Sequence, residues 1–311
     1  MRTTVVLTTY NGEKYLLELI ESLRKQTHKP DEVLIFDDCS TDATINILEK
    51  YIDKNKLEHW IVKKNDKNVG WERNFANALM CATGDVIFPA DQDDIWHIDK
   101  IEQMLKIFNE YNEVWMVVSS FHAFCTGKGI NEIVHKVVTE NKEISGKVKF
   151  DKAYYQILRP GCTMAISKKM LPIFKQLWSL GTPHDALLWA IASITGKLYL
   201  CDKVLIEYRR HDNNASRNIS HELKYKINEI ERTKRVNEWY ETSQYFDSNH
   251  TKIISDVDKW CYYRHKLLIE KRFIYWIPLF KFRKYYLTPK KYVGDLFYYI
   301  LVLKKGFGND K

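Results

Sequence analysis

The sequence predicts an α/β protein built on a mostly parallel sheet with helices on both faces. Strand and helix patterns alternate through short links, and the strands read as apolar runs rather than as apolar–polar alternation. Several strands also end in polar or acidic clusters, at the carboxyl edge where ligands bind in open α/β sheets.

Residues 2–9 are β-branched and apolar and stop at Tyr10-Asn11-Gly12, a turn signal. Tyr15, Leu16, Leu19, Ile20 and Leu23 then recur at helical spacing before Pro30. Residues 32–36 form a second apolar strand ending at Asp37-Asp38, and Ser40, Thr41 and Asp42 offer caps for a helix carrying Ile45, Ile47, Leu48 and Tyr51. A third strand (60–62), a helix (72–81) and a fourth strand (85–90) follow, the last delivering Asp91-Gln92-Asp93-Asp94-Ile95-Trp96. Residues 126–150 read as an irregular connection. Beyond it, 161–167 reads as a strand, 168–178 and 184–195 as helices, 197–208 as strands and 221–245 as a charged helix.

With 311 residues, 45% of them hydrophobic and 14% aromatic, the chain is expected to be globular. That length suits one large domain with an appendage, or two domains. Its six cysteines stand far apart with no Cys-x-x-Cys pair, which argues against a zinc site or a disulfide framework and fits a reducing compartment. The first apolar run is too short for a signal peptide, and no stretch reaches the ~20 apolar residues of a spanning helix. There is no internal repeat, no glycine-rich dinucleotide fingerprint and no Walker loop, so phosphates have to be held some other way.

Clustered carboxylates at Asp91, Asp93 and Asp94 repel one another and are costly to desolvate, so a cation is expected beside them. A hard divalent ion takes oxygen ligands, and Mg²⁺ commonly shares one or two carboxylates with substrate phosphates. The Asp-x-Asp therefore suggests a metal-bridged diphosphate site; alone, it reads equally as an acidic loop capping the next helix. Thr8-Thr9-Tyr10-Asn11, Asp37-Asp38 and Arg73-Asn74 fall at other element ends. Grouped on one sheet edge they suit a nucleotide: an aromatic for the base, a carboxylate for a base N–H, an arginine for phosphate. Taken singly, Asp37 and Asp38 read as helix caps and Tyr10 as rim packing.

As an ordered set, Thr8-Thr9-Tyr10-Asn11, Asp38-Cys39-Ser40-Thr41-Asp42, Asn68-x-Gly70 with Arg73-Asn74, and Asp91-x-Asp93-Asp94 resemble the N-terminal half of family-2 glycosyltransferases. The resemblance extends over about residues 1–215. It implies a GT-A fold, a single Rossmann-like α/β domain using a nucleotide-sugar donor. It implies that Tyr10 packs on a pyrimidine ring with Thr8 beside it, that Asp38 accepts the ring N3–H, and that Arg73 lies near the diphosphate. Asp91 and Asp93, with Asp93 as direct ligand, would hold Mg²⁺ or Mn²⁺ to stabilise charge on the leaving group.

Pro160-Gly161-Cys162 resembles the family's glycine loop near the donor sugar, where lack of a side chain admits substrate. Asp185, in Pro183-His184-Asp185, resembles the catalytic base that takes the acceptor's hydroxyl proton in an inverting attack. His184 stands where the family usually has an acid. Without the resemblance, Asp185 reads as the first-turn acid of the following helix. Tyr208-Arg209-Arg210-His211 resembles the segment that brings a histidine to the metal or diphosphate; by itself, His211 reads as a satisfied core or surface residue. Residues 212–216 form a polar loop suited to a flap over the donor. The spellings Asp-Gln-Asp-Asp-Ile-Trp and Tyr-Arg-Arg-His-Asp-Asn-Asn are similar to those of rhamnosyltransferase-like bacterial members that build cell-surface polysaccharide. dTDP-rhamnose is thus the first expectation for the donor and a UDP-hexose the second.

The net charge of +8 is uneven: from residue 259 on there are 13 Lys/Arg against 3 Asp/Glu, so the tail carries +10 and the rest −2. Residues 260–311 hold 15 aromatics, and their longest apolar runs, 273–280 and 296–303, have eight residues each. Short aromatic stretches flanked by cations suit a helix lying in the headgroup region of an anionic membrane. The alternative is a helical appendage packed on the catalytic domain or on a second copy. No nucleic-acid motif accompanies the charge.

The expected protein is therefore an inverting, metal-dependent glycosyltransferase, with residues 1–215 catalytic and 216–311 helical. Its expected setting is cytoplasmic, peripheral on the inner face of the cell membrane, with a lipid-linked glycan as acceptor. One rival is a sugar-phosphate nucleotidyltransferase, whose glycine-rich, arginine-containing N-terminal signature is missing. The other is a donor-binding scaffold without catalysis, against which the joint presence of Asp91, Asp93 and Asp185 argues. A homo-oligomer is left open.

Overall fold

The structure is a computed structural model that describes residues 1–125, 146–211 and 223–306, with side chains to residue 300. The expected polar loop at 212–216, with the domain boundary at 215/216, and most of the connection at 126–150 lie outside the described residues. Strands β1 (Thr3–Thr9), β2 (Glu32–Asp37), β3 (Trp60–Lys64) and β4 (Val86–Asp91) alternate with helices α1 (Leu16–Arg24), α2 (Thr44–Asn55) and α3 (Trp71–Cys81). They pair in parallel in the order β3-β2-β1-β4.

Next come β5 (Ile95–Trp96), α4 (Lys100–Glu110), β6 (Met116–Cys125), β7 (Gly146–Lys147), β8 (Met164–Ser167), α5 (Leu171–Leu177), α6 (His184–Ile194) and β9 (Leu198–Arg210). Here the sheet turns mixed: β8 runs antiparallel to β4 and β6, β9 runs parallel to β6, and β5 and β7 join β9 antiparallel. The segment expected as a strand from 161 opens instead with a 3-10 turn over Gly161–Thr163. Likewise the helix expected from 168 begins as a 3-10 turn, and α5 proper spans Leu171–Leu177.

Successive side chains of a strand point to opposite faces. On β1, Val5 and Leu7 pack with Leu16, Leu19 and Ile20 of α1 and Met104 of α4. Val6 faces the other way, into a core with Ala76 and Leu79 of α3 and Ile191 of α6. Both faces are covered, and this is why the strands read as unbroken apolar runs. Register shifts between β6 and β9 near Ser120 mark bulges, which bend a long strand.

The C-terminal helices are α7 (Leu223–Thr242), α8 (Thr251–Leu268), α9 (Trp276–Lys281) and α10 (Pro289–Gly306). They share a core with the α/β body, because Ile230, Val236, Trp260, Leu279, Tyr285 and Tyr286 join the cluster that holds Trp115 and Leu188. The inner side of the tail therefore packs on the body, one of the two arrangements its composition allowed. Helix α7, expected as a charged helix, lies between the body and the tail and buries part of its charge. Its buried Lys226 pairs with Asp295 at 2.5 Å, and its Glu229 takes Arg264 at 2.9 Å. Asp295 also accepts from Arg264 Nε and the Tyr286 hydroxyl, both at 2.7 Å.

Candidate active site

Strands β1, β2 and β4 end in one row, with Thr9 opposite Asp37 and Thr8 opposite Asp91. Asn11, in the left-handed region at φ 47°, turns the chain out of β1. Tyr10 donates its N–H to Gln92 Oε1 (2.8 Å), and its carbonyl accepts from Gln92 Nε2 (3.0 Å). The rim is thereby tied to the Asp-x-Asp loop, and the Tyr10 ring is left exposed.

Asp37 and Asp38 are both buried and do different work. Asp37 Oδ1 accepts from Thr9 Oγ1 and Ser40 Oγ, and Oδ2 accepts from the Ser40 N–H. Asp38 Oδ1 accepts from the Val69 N–H (2.8 Å) and Asn65 Nδ2 (2.9 Å), and Oδ2 from the Gly70 N–H (2.9 Å). It therefore shapes the loop that starts α3, with about one of four acceptor directions left over. Arg73, in the first turn of α3, is exposed.

At the end of β4, Asp93 Oδ2 lies 2.7 Å from His211 Nε2. Arg209, two residues earlier, clamps this loop: its N–H donates to Asp94 Oδ1 (3.0 Å), Nε to the Asp93 carbonyl (2.8 Å) and Nη2 to Glu18 Oε2 (2.9 Å). Its guanidinium lies 4.5 Å from the centre of the Tyr15 ring, on which His211 also leans at 5.0 Å. The bend in β9 thus carries a histidine onto the Asp-x-Asp.

Beneath the loop, Lys100 opens α4 fully buried. Its ammonium donates to the Cys162 carbonyl at 2.6 Å and sits 3.4 Å from the Trp96 ring centre. Burial pushes the ammonium down to about 7, against the pull of Cys162, Asp94 and Asp91. Asp94 is pushed up to about 7 by burial and by the charge of Asp93. Asp91 is raised well above the carboxylate range by burial and by Asp94, Asp93 and Asp185. Carboxylates raised by crowding mark a place where added positive charge is strongly stabilised.

Two donor sets could take a cation. Ligand atoms of Asp91, Asp94 and Cys162 lie within 4.8 Å of one another. Burial and the adjacent carboxylates keep that thiol protonated, however, which makes it a poor ligand. Asp93 and His211, 2.7 Å apart, offer oxygen and imidazole donors beside Asp91, and such donors suit Mg²⁺ or Mn²⁺ better than a set containing a thiol.

Asp185 stands in the first turn of α6, where its Oδ1 accepts from the Ala186 N–H at 2.7 Å. A Cβ on Gly161 would come within 2.9 Å of His184 Nε2 and 3.1 Å of the Asp185 Cβ, so only glycine lets the loop and helix meet this closely. His184 is buried and stacked on Phe75 at 4.1 Å, with no hydrogen-bond partner for either ring nitrogen. Burial pushes its pKa down, so the ring is neutral.

One edge of the sheet thus gathers Thr8, Asp91, Asp93, Gly161, Asp185 and His211, with Tyr10 on the rim and Asp38 beneath a supporting loop. Sequence reasoning missed Lys100, and it noted Arg209 and Cys162 only as neighbours of other residues. A cavity of about 610 Å³ at the opposite end of the strands, lined by Met1, Asp85, Phe108 and Lys169, is remote from this edge.

A family model for glycosyl transferase family 2 matches residues 4–171, more than half of the chain. The chain belongs to that family. It is similar to the dTDP-rhamnosyl transferase RfbG of Shigella flexneri, 29% identical over 248 residues that cover 75% of this chain and 80% of that protein. It is also similar to the putative teichuronic acid biosynthesis glycosyltransferase TuaG of Bacillus subtilis, at 25% over 216 residues (69% and 81%). TarS of Staphylococcus aureus, a poly(ribitol-phosphate) β-N-acetylglucosaminyltransferase, is 33% identical over 133 residues, only 22% of its length.

Among solved structures, TarS with UDP-GlcNAc superposes with a TM-score of 0.62 at 21% identity, covering 88% of this chain and 75% of that one. The mannosyltransferase PcManGT of Pyrobaculum calidifontis, solved with GDP-Man and Mn²⁺, gives 0.59 at 13%, covering 100% and 88%. At such identities the likeness establishes the fold. The protein is a glycosyltransferase of the GT-A fold.

Proposed function

We propose that this glycosyltransferase moves a sugar from a nucleoside diphosphate donor to a hydroxyl of a glycan acceptor, inverting the anomeric configuration. dTDP-rhamnose is the first candidate donor, a choice supported by the likeness to RfbG. A UDP-hexose is the second, supported by the fold shared with TarS. The observation that carries the reading is the meeting of Asp185 with Gly161, beside Asp91 and the His211–Asp93 pair. That juxtaposition sets a carboxylate next to an acidic cluster suited to a cation-bridged diphosphate, as a base-assisted displacement requires.

In this reading Asp185 takes the proton of the acceptor hydroxyl while its oxygen attacks the anomeric carbon. The bond from that carbon to the diphosphate oxygen breaks, and the nucleoside diphosphate leaves with the electron pair. Tyr10 stacks on the base, Asp38 accepts from it through its remaining lone pair, Thr8 lines the pocket floor and Arg73 approaches the phosphates. Mg²⁺ or Mn²⁺ held by Asp91, Asp93 and His211 would offset the charge of the leaving diphosphate. Residues 1–215 form the catalytic domain and 216–311 its helical support. The acceptor is a lipid-linked glycan met at the cytoplasmic face of the membrane.

The test is release of nucleoside diphosphate from a panel of UDP-, dTDP- and GDP-sugars with Mg²⁺ or Mn²⁺, alongside Asp93→Ala. Turnover of one donor that the substitution abolishes supports the reading. Pyrophosphate formation from a sugar phosphate and a nucleoside triphosphate, or failure to bind any nucleotide sugar, defeats it.

A further inference from the structure

Large apolar side chains are exposed thinly over the α/β body and densely at its C-terminal end. Of eighteen among the described residues, eight lie between Phe273 and Ile300. Ile274, Ile277 and Phe280 recur at helical spacing along α9 and the turn before it, on the side away from buried Leu279. Val293, Phe297 and Ile300 do the same on α10, away from buried Asp295. The two elements are fastened together by the Trp276–Tyr292 stack (4.1 Å) and the Phe273–Tyr299 contact (5.5 Å). Two apolar stripes thus stand on joined elements whose inner sides are already committed to the core.

Charge frames these stripes with one sign. Residues 271–300 contain seven Lys/Arg, all exposed, and their single acid is Asp295, buried and paired with Lys226 and Arg264. Arg283 lies over the Phe280 ring at 4.2 Å, which keeps its charge beside the apolar surface. No helix among the described residues is long and apolar enough to cross a membrane.

We propose that α9 and α10 form a docking face for an anionic bilayer, with the Ile277 and Phe297 stripes entering the acyl boundary and the cationic rim meeting lipid phosphates. A second copy is the poorer occupant, because a two-fold contact through this face would set its cations against themselves. The proposal rests on the transferase reading only for its setting, since a lipid-carried acceptor would then be presented to the site by the same surface.

Vesicle sedimentation tests it with the full chain, using neutral phosphatidylcholine vesicles and vesicles carrying about a quarter phosphatidylglycerol. The wild type should sediment with the anionic vesicles, release from them in high salt, and stay soluble with the neutral ones. The double variant Ile277→Asp, Phe297→Asp should bind at least about tenfold more weakly. Its melting temperature and release of nucleoside diphosphate in solution should be unchanged. Lys290→Glu with Lys291→Glu should weaken binding to anionic vesicles only. Wild type that ignores anionic vesicles, a double variant that binds like wild type, or a dimer that the double variant dissolves would each overturn the proposal. Variant-sensitive binding supports it even where no donor is turned over, so failure of the transferase reading is seen separately.

Discussion

Replacing Gly161 by alanine probes how the loop holds the first turn of α6. The added Cβ would stand 2.9 Å from His184 Nε2 and 3.1 Å from the Asp185 Cβ, where ordinary contacts are 3.4–4 Å, so the two parts must separate by about half an ångström. His184 cannot swing aside, because its ring is buried against Phe75. The displacement therefore falls on the start of α6 and on Asp185. A misplacement of ~1 Å at a reacting group costs about 10²-fold in rate, so half of that predicts about tenfold, or ~1.4 kcal/mol of barrier. Overpacking should also cost ~1–3 kcal/mol of stability. The assay is kcat at saturating donor, paired with urea unfolding. Gly161→Ala combined with His184→Ala should recover part of both losses, because the closest clash is with the ring. An alanine variant with wild-type kcat and stability would refute the claim that this contact positions Asp185.

Lys100→Met should destabilise the fold by ~1–3 kcal/mol in urea unfolding, because it leaves the buried Cys162 carbonyl without its donor; an unchanged stability would contradict this. If the proposed metal-assisted transfer holds, Arg209→Lys should raise the Mn²⁺ concentration needed for half-maximal turnover about 10–100-fold while the fold persists, since a lysine cannot reach the Asp93 carbonyl and Glu18 together; an unchanged metal titration would argue against the clamp. Burial alone would raise the pKa of Asp295, but Arg264 and Lys226 outweigh it and hold it below the usual range. Its folded pKa is depressed, so its stabilisation is present above about pH 4 and lost as the pH falls through the lower folded value. The protection factors of the α10 amides against hydrogen exchange, corrected for the intrinsic rate at each pH, should fall in acid for the wild type. In Asp295→Asn they should be low at neutral pH as well, the variant being weaker by ~3–5 kcal/mol there; wild-type protection in that variant would dismiss the role of the network.

The first half of the fold was legible because its signals are local. Apolar runs on β1, β2 and β4 end at Thr8, Asp37 and Asp91, and a parallel register then brings those ends into one row. The second half was less so. Strand directions at β8, β6 and β9 are set by pairings between distant segments, and α4 is expected from the sequence only as the helix that the acidic cluster would cap, without its bounds or its buried face of Ile101, Met104, Leu105 and Phe108. Lys100 was unreadable for the same reason. A lysine opening a helix reads as solvated, and its burial depends on Trp96 and on a carbonyl 62 residues away. The tail's aromatics gave no sign of which side they face. Trp260, Tyr285 and Tyr286 went inward, whereas Phe273, Phe280 and Phe297 stayed outside.

Asp185→Asn tests the proposed proton transfer most directly, since asparagine keeps the size and the α6 packing while removing the base. Donor binding by calorimetry, followed by turnover at saturating donor and acceptor, reads both parts of the claim on one protein. Binding should stay within about twofold of wild type, and turnover should fall about 10²–10⁴-fold. Turnover at the wild-type rate would show that the acceptor's proton leaves by another route and that Asp185 only caps its helix.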